Sequence, residues 1–304
     1  MNIPSPLHEL KLPLFDEKEV NVWIKRDDLI HDEISGNKWR KLKYNIEGFQ
    51  KGTYNAILTF GGAYSNHILA TAKVGFDYQI PTIAIIRGEE QLPLNPTLKR
   101  SKELGMQIHY VSRTEYREKN TIQFLKKVKE QFGNVYMIPE GGGNKEGVVG
   151  CKDIVNEIDQ DFDYILTDCG TGATLAGISL ALTANQKAIG TPVLKGGDFI
   201  LDEVKNYFEL LNEDTSKIKN IELVTDYHFG GYAKHKPELI EFMRLFYTQT
   251  GIKTDPVYTG KLFFALMDLV QKHHFPKGTR IVVVHTGGLQ GIAGFEERYK
   301  MKIF

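Results

Sequence analysis

The chain has 304 residues, of which 41% are hydrophobic and 25% are charged, as expected for a globular protein of one large domain or two ordinary ones. Thirty-eight basic residues balance 38 acidic ones, and this zero net charge argues against nucleic acid or an anionic membrane as the main partner. No apolar run could span a bilayer, and Cys151 and Cys169 have neither metal-ligand nor disulfide spacing, so we expect a cytoplasmic protein with reduced thiols and no metal site.

Short β-branched segments alternate with amphipathic ones along most of the chain. Strands are predicted at residues 21–25, 56–60, 82–87, 107–111, 134–138, 164–168, 221–225 and 280–286. Several of them are continuous apolar runs, which are typical of strands buried on both faces. Helices are predicted at residues 114–133, 236–251 and 259–274. The alternation predicts an α/β fold with largely parallel sheets.

The segment SGNKWRKLKYN, residues 35–45, places four basic side chains within six residues, directly after a Gly-Asn pair: Lys38, Arg40, Lys41 and Lys43. One interpretation is the solvated face of a helix. The other is that Lys38 projects into a pocket and takes part in chemistry there. Lys41 and Lys43 fit the solvated face, whereas Arg40 fits either the surface or a role in the fold.

Four glycine-rich turns follow predicted strands: GGAYSNH (61–67), PEGGGNKEG (139–147), CGTGAT (169–174) and HTGGLQG (285–291). Ligands of open α/β sheets bind beyond the carboxyl ends of the strands. The sequence therefore predicts a ligand that is surrounded by several loops.

The turn at residues 170–174 is the best candidate for an anion site. Gly170 and Gly172 permit close backbone approach, Thr171 and Thr174 add hydroxyl groups, and a predicted helix begins immediately afterwards. Bare N–H groups at a helix start bind phosphate. The pattern matches neither the nucleoside-triphosphate nor the dinucleotide motif, so a single phosphate monoester fits better. A tight turn without a ligand explains these residues equally well when they are taken alone.

The other turns carry further candidates, each with an ordinary structural explanation. Ser65, Asn66 and His67 lie at a predicted helix start, where a serine is most often an N-cap. Tyr258 in DPVYTGK and Thr286 in HTGG could be an edge tyrosine and a turn residue. Their joint occurrence with the Lys38 segment is much more specific than any one of them.

These five stretches together resemble the pyridoxal-phosphate enzymes with the tryptophan synthase β-like fold. The most similar branch contains 1-aminocyclopropane-1-carboxylate deaminase and D-cysteine desulfhydrase, and the motifs GNKWRKL, SNH, GTGAT, DPVYTGK and HTGG occur in that branch's order over nearly the whole chain. The resemblance implies an α/β fold with two open twisted, mostly parallel sheets flanked by helices. It also implies a small α/β domain at residues 43–150 and a large cofactor-binding domain formed by residues 1–42 and 151–304, with pyridoxal 5'-phosphate between them.

The resemblance also implies roles for the residues around the cofactor ring. Lys38 would bind the cofactor aldehyde covalently and act as a base. Asn66 would bond the phenolic oxygen of the ring, and Ser65 with the backbone of Asn66 and His67 would bind the substrate carboxylate. Tyr258 would lie near the substrate as a proton donor or leaving-group partner.

Further roles concern the phosphate, the ring nitrogen and a second tyrosine. The phosphate would be held by Gly170, Thr171, Gly172, Ala173 and Thr174. Thr286 would face the ring nitrogen, and Tyr232 in HFGGYAK would be a second active-site tyrosine. A small amino acid is the expected substrate, and fold analogy suggests a homodimer.

Two positions bear on the reaction. The deaminase pattern has Glu after the motif tyrosine and Leu at the threonine of HTGG, whereas this chain has Thr259 and Thr286, as in the desulfhydrase pattern. A hydroxyl is a neutral partner that can leave the ring nitrogen unprotonated, so we favour α,β-elimination, with D-cysteine giving pyruvate, ammonia and hydrogen sulfide. Tyr64, Leu69 and Ala70 depart from the branch pattern and leave the substrate and its chirality open.

Three alternatives stay open. The first is a 1-aminocyclopropane-1-carboxylate deaminase that gives 2-oxobutanoate and ammonia. The second is elimination from another β-substituted amino acid. The third is a protein that holds the cofactor without turnover, and this one is disfavoured because the lysine, the tyrosine and the ring contacts occur together.

Overall fold

The computed structural model describes residues 1–34 and 36–304, and this part of the chain forms two sheets surrounded by helices. The strands are β1 (Leu7–Glu9), β2 (Asn21–Lys25), β3 (Ala56–Gly61), β4 (Thr82–Arg87), β5 (Gln107–Val111), β6 (Val135–Ile138), β7 (Tyr164–Cys169), β8 (Lys187–Pro192), β9 (Ile221–Leu223) and β10 (Arg280–Val284). The α-helices are α1 (Pro13–Glu17), α2 (Asn37–Gln50), α3 (Asn66–Tyr78), α4 (Pro96–Glu103), α5 (Arg113–Arg117), α6 (Ile122–Phe132), α7 (Lys145–Cys151), α8 (Asp153–Asn156), α9 (Ala173–Ala181), α10 (Ile200–Leu210), α11 (Pro237–Thr250), α12 (Thr259–Gln271) and α13 (Gly291–Tyr299).

The larger sheet has the strand order β1-β2-β10-β7-β8-β9 and is parallel except for the antiparallel edge strand β1. Successive residues of its strands face opposite sides. Val282 and Val284 pack on the side of α9 and α10, whereas Ile281 and Val283 pack on the side of α12. Both faces of the sheet are therefore covered, which explains the continuous apolar runs of the sequence.

The smaller sheet has the order β5-β4-β3-β6, and all of its strand pairs are parallel. Ile57 packs with Leu42 and Ile46 of α2, while Leu58 packs on the opposite side with Phe124 of α6. The expectation of two mostly parallel sheets flanked by helices is confirmed. No helix within the two described ranges is long and apolar enough to cross a membrane.

Two strands of the larger sheet escaped the sequence prediction. β1 is a three-residue edge strand, too short for a periodic pattern. β8 has the sequence KAIGTP, with a glycine and a proline in place of an apolar run. Gly190 allows close packing there, because a Cβ atom would lie 2.7 Å from the Leu175 side chain and 2.9 Å from the Cys169 sulfur.

The predicted helix at residues 114–133 is instead two helices, α5 and α6. The helical pattern is interrupted at Thr121, whose Oγ1 accepts a hydrogen bond from the Phe124 N–H and so caps the start of α6. A threonine in the middle of a helical pattern can begin a new helix in this way. The predicted helices at 236–251 and 259–274 correspond to α11 and α12 with shorter carboxyl ends.

Arg40 has a role in the fold rather than on the surface. Its guanidinium is 1% exposed and lies 2.9 Å from Asp27 Oδ1 and 2.7 Å from Glu157 Oε2. Lys25 Nζ also donates to Glu157 Oε2, at 3.0 Å. Although burial opposes it, the hydrogen bonds and charges of Arg40 and Lys25 lower the pKa of Glu157 to about 2. This paired cluster joins α2 to β2 of the larger sheet and to the segment after α8.

The predicted domain boundaries stay a prediction. The four strands of the smaller sheet lie between residues 56 and 138, inside the predicted small domain. The six strands of the larger sheet lie outside that range. Helix α2 packs against α7 near both boundaries, and Gly150 permits this contact because a Cβ atom would lie 1.9 Å from the Arg40 carbonyl oxygen.

Candidate active site

The amine of Lys38 lies in a cavity at the carboxyl end of β7. Its Nζ donates to Asn37 Oδ1 at 2.7 Å, and Asn37 Nδ2 donates to Thr174 Oγ1 at 3.0 Å, so the lysine is linked to the glycine loop. The residues that line this cavity are Asn37, Lys38, Lys41, Gly141, Asp168, Cys169, Gly170, Thr171, Gly172, Thr174, Leu175 and Tyr258.

Close packing of two glycine turns positions the start of α2. Gly36 has a φ of 67°, and a Cβ atom there would lie 1.7 Å from the Thr286 carbonyl oxygen. The Asn37 N–H donates to that same oxygen at 3.2 Å. Only glycine allows this approach, and Lys38 is therefore held beside the HTGG turn.

The glycine loop at residues 170–174 presents unpaired amides to the cavity. Within residues 1–34 and 36–304, the N–H groups of residues 170–174 donate to no other protein group. Gly172 opens α9 with a φ of 77° and no side-chain cap. A Cβ atom on Gly170 would lie 3.4 Å from the Tyr258 ring, so glycine keeps the space open. Unpaired amides at a helix start form a suitable site for a phosphate.

The sequence predicted that Lys41 lies on a solvated helix face, and the structure shows that this prediction is wrong. It is 4% exposed and lines the cavity three residues after Lys38. Its ammonium forms no hydrogen bond or ion pair within the described part of the chain, and burial lowers its pKa. A buried unpaired cation is costly unless an anion joins it, which fits a phosphate bound at the loop. Lys43 is half-buried and pairs with Asp153 at 2.9 Å.

The pKa of Lys38 falls from its ordinary 10.5 to about 7. Burial is the main cause, since it disfavours the charged form, and the nearby Lys41 charge acts in the same direction. The free amine is consequently present at neutral pH, which a nucleophile or a general base requires.

A second cavity adjoins the first and shares some of its residues. It is lined by Asn37, Lys38, Asn66, Asp168, Tyr258, Thr286, Gly287 and Gly288. Asn66 comes from the start of α3, and Gly288 leaves it room, because a Cβ atom at position 288 would lie 2.6 Å from Asn66 Nδ2.

Ser65 and His67, the neighbours of Asn66 in the sequence, do not line the second cavity. Ser65 is the N-cap of α3, since its Oγ accepts from the Ile68 N–H at 3.4 Å. His67 is 1% exposed and its Nε2 lies 2.9 Å from Thr59 Oγ1, in the interior. Burial, with the charges of Lys38 and Lys41, lowers the pKa of His67 well below its ordinary value.

Tyr258 lines both cavities and is held by a buried carboxylate. Asp255 Oδ1 accepts from the N–H groups of Val257 and Tyr258 at 2.8 and 2.9 Å, and its Oδ2 accepts from Thr259. Burial raises the pKa of Tyr258 well above its ordinary value, so the hydroxyl keeps its proton. Tyr232 is 44% exposed, and its hydroxyl lies 3.4 Å from that of Tyr258.

Thr286 donates a 2.5 Å hydrogen bond to Asp168 Oδ1, and both side chains are buried. Burial raises the pKa of Asp168 to about 6, although Thr286 and the neighbouring lysines oppose the change. Asp168 was missed by the sequence analysis. Its signal was a carboxylate at the carboxyl end of a predicted strand, directly before the glycine loop.

The structure brings most of the predicted site residues together. Those that line the two cavities are Lys38, Asn66, Gly170, Thr171, Gly172, Thr174, Tyr258 and Thr286. Ser65, His67 and Ala173 do not line them: Ser65 caps α3, while His67 and Ala173 are buried. Three further residues line the cavities and were not predicted as site residues: Asn37, Lys41 and Asp168. Asp255, which binds the Tyr258 backbone, was not predicted either. Tyr64 does not line them either, and its ring lies against Gly294 of α13.

Residues 2–287 match the family model described as pyridoxal-phosphate dependent enzyme. The chain belongs to this family. An Arabidopsis thaliana relative, named a bifunctional D-cysteine desulfhydrase/1-aminocyclopropane-1-carboxylate deaminase, is 31% identical over 96% of this chain and 78% of its own. A Pyrococcus furiosus relative, whose name gives 1-aminocyclopropane-1-carboxylate deaminase as a provisional activity, is 34% identical over 89% of this chain and 85% of its own.

Among solved structures, a homologue of 1-aminocyclopropane-1-carboxylate deaminase has a TM-score of 0.83 and 30% sequence identity, with 97% of this chain and 92% of the other covered. The chain is a pyridoxal-phosphate-dependent lyase that resembles the 1-aminocyclopropane-1-carboxylate deaminases. The family resemblance inferred from the motifs and the predicted cofactor are thus confirmed.

The residues present fit pyridoxal phosphate. The unpaired amides of the glycine loop and the unpaired ammonium of Lys41 suit a phosphate dianion. The Lys38 amine, whose pKa is lowered to about 7, is partly unprotonated at neutral pH and so suits an aldehyde. Both groups lie in one cavity, as a small cofactor that bears a phosphate and an aldehyde requires.

Proposed function

We propose that the chain cleaves a small amino acid, most simply D-cysteine, by α,β-elimination. Hydrogen sulfide and aminoacrylate are released, and water hydrolyses the aminoacrylate to pyruvate and ammonia. The proposal depends mainly on one observation, the placement of the Lys38 amine in one cavity with the glycine loop and Tyr258. Thr259 and Thr286, which match the desulfhydrase pattern, support the choice of substrate.

Two helix starts would hold the two anions of the complex. The amides of residues 170–174, the Thr171 and Thr174 hydroxyls and Lys41 would hold the cofactor phosphate. Asn66 would bond the ring oxygen. The hydroxyl of Ser65 and the N–H groups of Asn66 and His67, which donate to no group in the described chain, would hold the substrate carboxylate.

The reaction needs a base, an acid and a place for electrons. Bound pyridoxal phosphate supplies the electron sink. The Lys38 amine, with a pKa of about 7, would accept the α-proton at neutral pH. The Tyr258 hydroxyl, which keeps its proton, donates to the Tyr232 hydroxyl at 3.4 Å in this structure. On substrate binding that proton would turn from Tyr232 to the departing sulfur.

The proposal includes the domain division at residues 43–150 and a homodimer. Asn66 comes from the predicted small domain and Thr286 from the predicted large one, yet both line the second cavity. A site between two domains can close on its substrate and exclude water. Light scattering of the purified protein would test the dimer.

A second candidate substrate is 1-aminocyclopropane-1-carboxylate, with 2-oxobutanoate and ammonia as products. The names of the similar proteins favour it. The same Lys38 and Tyr258 would serve as base and acid, and the anion sites would be unchanged.

The test is a substrate panel with the cofactor-loaded protein. It includes both enantiomers of cysteine and serine, other β-substituted amino acids and 1-aminocyclopropane-1-carboxylate, and it measures keto acids and sulfide. Pyruvate and sulfide from D-cysteine support the proposal, whereas 2-oxobutanoate from the cyclopropane acid supports the second candidate. Bound cofactor without turnover on any substrate would contradict both.

The site itself is tested by borohydride reduction followed by peptide mass spectrometry. We expect the cofactor to be found on Lys38. Lys38→Ala should lose both the attachment and the activity, while Lys43→Ala, on the same helix, should keep both. Attachment at another lysine would contradict the site assignment.

A further inference from the structure

The pair formed by Thr286 and Asp168 lies where the two cavities meet. Thr286 lines the second cavity, and Asp168 lines both. Within the described residues, the Asp168 carboxylate accepts its one hydrogen bond from Thr286 Oγ1, at 2.5 Å. With 4% exposure of Asp168 and 5% of Thr286, water has little access to the pair.

The direction of this hydrogen bond limits what Thr286 can do next. A hydroxyl has one proton and two acceptor lone pairs. The proton of Thr286 is directed to Asp168, so only lone pairs remain for a third group. If Thr286 donated elsewhere, Asp168 would be left as a buried carboxylate without a hydrogen bond, which is costly.

Burial disfavours the ionised form of Asp168, but the side chain is still ionised at slightly alkaline pH. Burial, helped by the neighbouring Asp255, raises the pKa of Asp168 to about 6. The Thr286 hydrogen bond and the charges of Lys38 and Lys41 oppose this rise. At pH 8 the carboxylate is therefore charged and able to accept the Thr286 proton.

We propose that Asp168 and Thr286 together keep the ring nitrogen of the bound cofactor protonated: Asp168 accepts the Thr286 hydroxyl proton, and Thr286 accepts a hydrogen bond from the ring N–H. This rests on the proposed function and on the expectation from the sequence that Thr286 faces the ring nitrogen. Asp168 acts through Thr286 and is a positioning residue.

With this hydrogen bond, the threonine at position 286 implies a protonated ring nitrogen and not an unprotonated one. The sequence analysis took a hydroxyl as a neutral partner that leaves the ring nitrogen unprotonated. A hydroxyl that is committed to a carboxylate instead requires a protonated nitrogen. A protonated ring is the stronger electron sink, so the threonine does not disfavour opening of a cyclopropane ring.

The experiment loads the full-length protein with pyridoxal phosphate that carries ¹⁵N in the ring and measures the nitrogen chemical shift at pH 8. We expect the shift of a protonated ring nitrogen in the natural protein. Asp168→Ala and Thr286→Val should lose it, because one lacks the acceptor and the other lacks the hydroxyl. Thr286→Ser should keep it, as should Asp153→Ala, an acidic residue of α8 outside the cavities.

An unprotonated shift in the natural protein, with the cofactor on Lys38, would overturn this inference and leave the proposed function standing. A protonated shift that persists in Asp168→Ala would also overturn it. If no cofactor is attached at Lys38, the proposed function and the inference both fail. The measurement on the natural protein needs no variant, so a variant that fails to fold does not remove the test.

Discussion

Two strand-turn-helix loops, at residues 61–67 and 169–174, look alike in the sequence but differ in the groups that they leave free. The loop after β3 caps its own helix, because the Ser65 hydroxyl accepts from the Ile68 N–H. The N–H groups of Asn66 and His67 have no partner in the part of the chain that the structure describes. The loop after β7 has Gly172 at the cap position, without a side chain, and among the described residues the five N–H groups of residues 170–174 have no partner.

The difference matches the anions that we assign to the two loops. Two amides and a hydroxyl suit a carboxylate, which has two oxygens and one charge. Five amides with a buried lysine suit a phosphate dianion, which has three terminal oxygens. The cap residue thus sets how many donors a helix start offers to a ligand.

The largest effect is expected from placing a carboxylate in the loop after β7. In Gly170→Asp the new side chain would enter the cavity beside Tyr258. Two unit charges about 4 Å apart near a protein surface repel by about 4 kcal/mol, so cofactor affinity should fall by about 100-fold or more. Fluorescence titration of the cofactor measures the loss.

Gly62→Asp is the matched variant in the other loop. Among the described residues, the atom nearest to a Cβ at position 62 is Arg87 Nη2, at 3.9 Å. Cofactor affinity should therefore stay within a few-fold of the natural protein. Equal losses in the two variants would contradict the assignment of the phosphate to residues 170–174.

Lys41→Met should have opposite effects on the two forms of the protein. Loss of a charge-assisted contact to the phosphate should weaken cofactor binding by about 10- to 100-fold. The cofactor-free protein should gain roughly 1–3 kcal/mol in the free energy of unfolding, because a buried unpaired cation is removed. Cofactor titration and urea unfolding measure the two effects.

Lys43→Met, two residues further along α2, is the control for this prediction. Its ion pair with Asp153 is partly exposed, so both quantities should change little. A cofactor-free Lys41→Met protein that is less stable than the natural one would show that Lys41 contributes to the fold rather than to the anion site.

The pH dependence of cofactor attachment should follow the lowered pKa of Lys38. Because burial and the Lys41 charge bring this pKa to about 7, the free amine increases as pH rises through about 7. The rate of attachment, trapped by borohydride at timed intervals, should rise over that range. Lys41→Met removes a positive neighbour, raises the Lys38 pKa and moves the profile to higher pH. A midpoint near 10 in the natural protein would contradict the burial of the amine.

The smallest effect is expected from Ser65→Ala, which removes the cap of α3. Loss of an N-cap costs about 1 kcal/mol of stability. Because Ser65 is also assigned to the substrate carboxylate, KM should rise by about 10-fold while kcat changes less. Ser112→Ala removes the cap of α5 at a distance from the cavities and should cost stability without a change in KM. Similar KM values in the two variants would show that Ser65 is only a cap.

Much of the fold followed from local patterns, while parts of the site depended on distant contacts. The apolar runs around Val282 and Ile57 showed buried parallel strands because burial on both faces leaves a continuous signal. The role of Arg40 could not be read in this way, since its partner Glu157 is 117 residues away. β8 was missed because Gly190 serves close packing and interrupts the apolar pattern.

Lys41 could have been found from the sequence. Residues three apart lie on the same face of a helix, so a Lys38 that enters a pocket takes Lys41 with it. The contact between Asp168 and Thr286 could not be predicted from the sequence, because the two residues are 118 positions apart. The pairing of β7 with β10 brings them together.

Helix α2 contacts both sheets, so substitutions that change its packing can also change the position of Lys38. Arg40, near its beginning, is bound into the ion-pair cluster of the larger sheet, while Leu42 and Ile46 further along pack beneath the smaller sheet. Lys38 lies on the same helix. Repacking Leu42 or Ile46 for greater heat resistance should therefore also shift the Lys38 amine, to which we assign the cofactor attachment.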